Sequence, residues 1–316
     1  MNWKTGAALF PGQGSQMVGM GSDFARTYPV ARETFEQADD ILAFDLSRIC
    51  FNGPRAELDQ TAITQPALYV CSIAIWRVLQ ALLPAAQPSW MAGHSLGEYS
   101  ALTAADALSF EDGLRLVHAR GRFMQQAGDD NPGAMAAILA LDIAEVETLC
   151  AAVSAETGQV VVLANDNCPG QAVVSGNIAA VDRLTERATD AGARRAVALS
   201  VSVAAHSPLM AAALDGFLEV VHSTVFTPPA VPVYGNIQAR PLDSVTDIHT
   251  ELDQQLTQSV RWTESMRAII EAGAETFIEI GSGTVLAGLM RRIDRSKARV
   301  SLNTVEALDD FLASLA

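Results

Sequence analysis

Gly93-His94-Ser95-Leu96-Gly97 carries the spacing G-x-S-x-G between a short apolar run and a stretch of helical character. In that setting the glycines permit a sharp turn and leave the serine hydroxyl exposed as a nucleophile. The amides that open the next helix favour an anion and can hold a developing oxyanion. A glycine-flanked N-cap serine is the plainer alternative. A serine nucleophile needs a base. Among the five histidines, His94 adjoins the serine and should point elsewhere, His118 sits in a helical stretch, and His222 and His249 lie in polar surroundings. His206, in Val203-Ala204-Ala205-His206-Ser207-Pro208, is the one a loop could carry over the elbow, although many loop histidines are only solvated. Pro11-Gly12-Gln13-Gly14 looks like a phosphate loop but fails the pattern. Met17 replaces the third glycine of G-x-G-x-x-G, and Met20 replaces the lysine of G-x-x-x-x-G-K-[ST]. The backbone amide of Gln13 remains a candidate oxyanion donor, with an ordinary turn as the alternative. Arg120 follows Ser95 by 25 residues. Its fork would bind a carboxylate bidentately and select an acidic acyl group, unless it merely solvates a helix surface.

These groups need a scaffold. Ala7–Phe10, Trp90–Gly93, Val231–Asn236 and Thr276–Ile280 read as short, unalternated apolar strands. Helical segments separate them, starting from about Ser15 and from Leu96 to about Ala105. That pattern predicts a parallel sheet covered on both faces. A different order runs from Ala134 to Val201. Ala134–Ala140 reads as a strand and Asp142–Ala155 as a helix. Gln159–Ala164 and Gln171–Ser175 form a strand pair around a polar loop, Asn165–Gly170. Ile178–Ala191 is a second helix, capped at Gly192, and Arg195–Val201 is a last strand. This βαββαβ order is the split βαβ, ferredoxin-like arrangement. The expectation is an α/β protein: a large parallel-sheet, α/β-hydrolase-like domain (residues 1–132 and 202–316) with a small inserted domain (133–201).

Composition narrows the class. The chain has 316 residues and is 49% apolar, too apolar for disorder. Asp+Glu 36 against Lys+Arg 21 leaves −15, so nucleic acid is a poor partner. Four cysteines without C-x-x-C spacing argue for a reducing compartment and against a structural zinc site. No apolar run approaches the ~20 residues of a membrane span, and Met1-Asn2-Trp3-Lys4 lacks a signal-peptide core. The length favours a stand-alone chain in the cytoplasm.

At these residues the sequence resembles the malonyl-CoA:acyl carrier protein transacylases, which include the acyltransferase domains of polyketide synthases. The resemblance runs through Phe10-Pro11-Gly12-Gln13-Gly14-Ser15-Gln16, Thr64-Gln65-Pro66-Ala67, Gly93-His94-Ser95-Leu96-Gly97-Glu98-Tyr99 and Arg120-Gly121-Arg122-Phe123-Met124-Gln125. It continues through Pro169-Gly170-Gln171, His206-Ser207-Pro208-Leu209-Met210 and Glu279-Ile280-Gly281-Ser282-Gly283. It implies a Ser95–His206 dyad, an oxyanion hole from the amides of Gln13 and Leu96, and Arg120 on the malonyl carboxylate. It further implies a Gln255 backbone carbonyl that orients the histidine, and Asn167 lining the site. The implied reaction moves malonyl from malonyl-CoA to the phosphopantetheine thiol of an acyl carrier protein, for fatty acid or polyketide synthesis, with no cofactor and no metal, in a monomer.

Three departures bear on selectivity and support. Ala205 stands where many malonyl-selective relatives have phenylalanine, Ser282 replaces a common proline, and Gln258-Ser259-Val260 replaces Asn-Pro-Val. Arg291 and Arg292 open a stretch of five cations in nine residues, a candidate contact for carrier protein or CoA phosphates, or else a solvated helix face. The competing readings are a serine hydrolase of α/β-hydrolase or patatin type, a malonate decarboxylase acyltransferase subunit, and a carrier-binding scaffold with a silent site.

Overall fold

A computed structural model describes residues 3–84, 87–199, 201 and 203–315. Met1, Asn2, Ser200 and Ser202, the last two at the expected domain junction, lie outside them.

Five strands form a parallel sheet: β1 (Gly6–Phe10), β2 (Trp90–Gly93), β7 (Val233–Tyr234), β8 (Thr276–Ile280) and β9 (Ala298–Leu302), in the order β7-β2-β1-β8-β9. β1 is buried along its whole length, as an apolar strand covered on both faces must be. Pairing of Phe10 with Gly93 ends β1 and β2 side by side, so the loops that follow them emerge together. A four-stranded antiparallel sheet is made by β3 (Gly133–Leu139), β4 (Val161–Cys168), β5 (Gln171–Asn177) and β6 (Arg195–Ala198), in the order β4-β5-β3-β6. Helices Ile143–Thr157 and Ile178–Asp190 cover one face. The strand period of two divides its residues. Ala136, Ile138, Ala172 and Val174 pack under the helices, while Met135, Ala137, Gln171 and Val173 face a cavity against the parallel sheet.

Five expectations shift. The first helix starts at Ser22 rather than Ser15, because Gly14, Gly19 and Gly21 all take positive φ, which holds the intervening chain in turns. The expected loop Asn165–Gly170 is mostly strand, with only Pro169-Gly170 as the turn. Its polar residues stay extended because Val260 pairs with that edge: Asp166 N–H donates to Val260 O (2.9 Å) and Val260 N–H to Ala164 O (2.8 Å). β7 keeps only Val233–Tyr234 of the expected Val231–Asn236, and β6 ends at Ala198. Helix Thr61–Leu82 is, as a whole, long and apolar enough to cross a membrane, but 83% of its apolar window is buried in the fold, so it is a core helix.

That core helix positions the site through its neighbour, Phe110–Asp130. Ser109 caps the neighbour by accepting from Asp112 N–H at 3.0 Å. Two glycines then let the helices touch. A Cβ on Gly113 would sit 2.2 Å from the Tyr69 hydroxyl, and one on Gly121 would sit 2.7 Å from Thr61 O.

Candidate active site

Ser95 has φ 52°, the left-handed conformation of a strained turn. The flanking glycines are required by contact rather than by φ. A Cβ on Gly93 would lie 1.9 Å from Gly97 C, and one on Gly97 would lie 2.0 Å from Phe10 O. Gly12 meets the elbow from the other side, 2.2 Å from His94 O to its absent Cβ. The loop after β1 is thereby pressed against Ser95. It is tied down by Ser282, the residue in place of proline, whose hydroxyl donates to Ser15 O at 2.7 Å. Among the described residues, the N–H groups of Gln13 and Leu96 have no protein acceptor. They are open donors beside Ser95.

The histidine arrives from the loop after the small sheet, also at positive φ, 59°. Ser207 fixes that loop by donating to Ala204 O at 2.7 Å and accepting from Leu209 N–H at 3.3 Å. His206 Nε2 stands 2.8 Å from Ser95 Oγ. Its Nδ1 stands 2.8 Å from Gln255 O and 3.1 Å from Gln258 O. Carbonyls only accept, so Nδ1 carries the hydrogen and Nε2 presents its lone pair to the serine. Burial first, and then the Arg120 charge, push the imidazole down to about 3. The ring is neutral at neutral pH. No carboxylate takes part.

Arg120 is 1% exposed. Its Nη1 donates to Gln65 Oε1 (2.9 Å), and its Nη2 to Gln255 Oε1 (3.0 Å) and Ser95 Oγ (3.1 Å). The guanidinium lies 5.5 Å from the Tyr99 ring centre. Two neutral amides and a ring face thus hold a buried cation with no carboxylate salt bridge, which leaves its charge available to an incoming anion. Asn167 reaches the site through His94: its Oδ1 is 2.8 Å from His94 Nε2, and that ring sits against Trp262. Gln255 does more than expected, since its Nε2 also donates to Ser95 O at 3.1 Å.

Several supports carried no assigned role in the sequence. Asn236 Oδ1 accepts from Ser95 N–H (2.7 Å), and its Nδ2 donates to Gly93 O (2.8 Å). Glu98 and Glu251, both buried, hold the segment that presents it by accepting from Asn236 N–H (2.9 Å) and Ile237 N–H (2.7 Å). Burial pushes both carboxyls up, and Glu251 adds to the effect on Glu98. A polar residue just past a strand's carboxyl end was the available signal for Asn236; Gln65 stood in a quoted motif without a role.

Gln13, His94, Ser95, Arg120, Asn167 and His206 line one cavity of about 330 Å³, roofed by Met135, Ala137 and Val173 and reached by Ala205. None of the residues in the one grouping of three metal-ligating side chains found among the described residues lines it. Arg291 is exposed. Arg292, also exposed, donates to Gln171 Oε1 (2.6 Å), Gly170 O (3.1 Å) and Pro169 O (3.2 Å), bracing the β4–β5 turn.

Comparison with known proteins places the chain in a family. The acyl transferase domain family matches residues 8–306. The malonyl CoA-acyl carrier protein transacylase of Haemophilus influenzae is 43% identical over 309 residues, 97% of this chain and 98% of that protein. The corresponding enzyme of Coxiella burnetii superposes with a TM-score of 0.95 at 41% identity, covering 99% of this chain and 98% of that one. A malonyl transacylase solved with its type II polyketide synthase acyl carrier protein also gives 0.95 at 41% identity, over 98% of this chain and all of that one. The chain belongs to the malonyl-CoA:acyl carrier protein transacylase family.

Proposed function

We infer that this protein transfers malonyl from malonyl-CoA to the phosphopantetheine thiol of an acyl carrier protein, through an ester on Ser95. The observation that carries this reading is the convergence of nucleophile, neutral base and carboxylate fork on Ser95 Oγ, 2.8 Å from His206 Nε2 and 3.1 Å from Arg120 Nη2. In the first half-reaction the hydroxyl gives its proton to Nε2 as Oγ attacks the thioester carbonyl. The oxyanion falls to the free amides of Gln13 and Leu96. The imidazolium then protonates the departing CoA thiolate. In the second half-reaction the carrier thiol gives its proton to Nε2 and attacks the ester; the acyl–Oγ bond breaks and the imidazolium returns the proton to Ser95 Oγ.

Arg120 supplies the selectivity. The malonyl carboxylate takes the place that Ser95 Oγ holds on the fork. Pairing neutralises the charge that also disfavours imidazolium, so the correct substrate makes His206 a better base on arrival. An ordinary esterase has no use for such a fork, which sets the hydrolase reading below this one. The same transfer serves fatty acid and polyketide chains. Every named group comes from one chain, so a monomer suffices. The four cysteines are free, consistent with the cytoplasm. We take residues 133–201 as an inserted unit that roofs the site, and the exposed Arg291 and Arg292 as cations for a carrier protein or CoA.

The test is intact-protein mass after brief exposure to malonyl-CoA, methylmalonyl-CoA or acetyl-CoA. A malonyl adduct is expected on the wild type, absent from Ser95→Ala and weakened in Arg120→Ala. Rapid release of free malonate without carrier protein would promote the hydrolase, and an adduct persisting in Ser95→Ala would overturn the dyad.

A further inference from the structure

We propose that His222, His249 and Asp253 bind one divalent transition-metal ion of the zinc class. The ion would clasp helix Ala211–Ser223 to helix Val245–Leu252. One ligand atom from each side chain lies within 4.8 Å of the other two. His249 and Asp253 are four residues apart at the end of one helix and so share a face. His222 comes from the last turn of the other helix, with its Nε2 2.8 Å from Asp253 Oδ1. Ligands of a tetrahedral ion with bonds of 2.0–2.1 Å stand about 3.3 Å apart. The His222–Asp253 separation is shorter than that spacing, and the His249 ligand atom lies within 4.8 Å of both. The His222 and Asp253 side chains are 55% and 34% exposed, free to move to that spacing.

A second observation is independent of the spacing. The His249 ring is packed edge-on against Phe226 at 5.3 Å and His222 at 5.5 Å, yet its Nδ1 is buried with no hydrogen-bond partner. Buried ring nitrogens normally find one, so this imidazole keeps an unused nitrogen inside the fold. Two imidazoles and one carboxylate suit zinc, nickel or cobalt, with water completing the shell; magnesium and calcium prefer oxygen. The net charge of −15 draws cations to the surface.

The placement gives the clasp a consequence. Helix Ala211–Ser223 begins five residues after His206, and Asp253 lies two residues before Gln255, whose carbonyl holds His206. A bound ion would tie together the segments that carry the base and its support, without touching substrate.

Calorimetric titration of the tag-free protein with Zn²⁺, with Mg²⁺ as control, tests the site, with Co²⁺ absorption reporting nitrogen and oxygen ligation. One equivalent of Zn²⁺ and a higher melting temperature are expected for the wild type. His222→Ala and Asp253→Asn should each weaken binding at least about tenfold. Both should load malonyl normally in chelator, which shows that they are folded. No Zn²⁺ binding by the wild type, or undiminished binding in both variants, would overturn the site.

Discussion

Ser95 and His206 both sit at positive φ, 52° and 59°, and meet at 2.8 Å, but different things hold them. The serine's conformation is set by the glycines on either side of it, which leave no room for any other side chain against Phe10 O and the next turn. The histidine's is set from a distance, by carbonyls 49 and 52 residues further along the chain. The first region is a steric device written locally. The second is an assembly of backbone hydrogen bonds that tolerates changes of side chain. This is why Gln258-Ser259-Val260 can replace the family's usual tripeptide: the Gln258 carbonyl still reaches Nδ1, while Ser259 Oγ donates to Leu163 O.

Removing the base altogether should have the largest effect. His206→Ala is expected to slow acyl loading by about 10²–10⁴-fold in rapid-quench measurements, with a slow adduct still forming on Ser95. Gly97→Ala comes next. Its Cβ would meet rigid backbone 2.0 Å away, so displacement of the elbow should cost about 10²-fold in loading, and thermal melting should show destabilisation. Its counterpart is Gln255→Ala, which keeps the carbonyl on His206 and should lose no more than about tenfold, through its contacts to Arg120 and Ser95 O. Equal losses in the two would break the contrast between steric and hydrogen-bonded placement.

Arg120→Ala should cut the preference for malonyl-CoA over acetyl-CoA by about 10–150-fold, the worth of one charge-assisted pair. It also sharpens the account of the base. In the folded protein His206 is held near 3, against an ordinary 6.5, so between those values the unfolded chain binds more protons. The stability this contributes is complete above about pH 6.5 and is lost as pH falls from there towards 3. Arg120 is the second cause after burial. In Arg120→Ala the acid limb of the loading profile should therefore move to higher pH while staying below the ordinary histidine range. An unmoved limb would remove Arg120 from the tuning of the base. Ala205→Phe fills part of the cavity and should lower methylmalonyl loading relative to malonyl by about tenfold.

The elbow was legible because its information is local: glycine spacing, a strand before it and a helix after it. The ferredoxin-like order was legible too, since alternation and helix caps mark each element. The polar run Asn165–Asn167 was misread as loop because its strand partner, Val260, lies far along the chain, and local polarity cannot reveal a remote edge. Arg292 was read with its charged neighbours. The structure shows its fork on the β4–β5 turn.

Residue type and short-range sterics suffice to make Ser95, the glycines that expose it, His206 and Arg120 candidates from the sequence alone. Only the tertiary structure decided which histidine tautomer faces the serine, that two glutamines rather than carboxylates hold Arg120, and that Asn236 braces the elbow. Those are contacts between segments 49 to 160 residues apart. Burial and hydrogen-bond geometry at that range exist only once the two sheets close on one another.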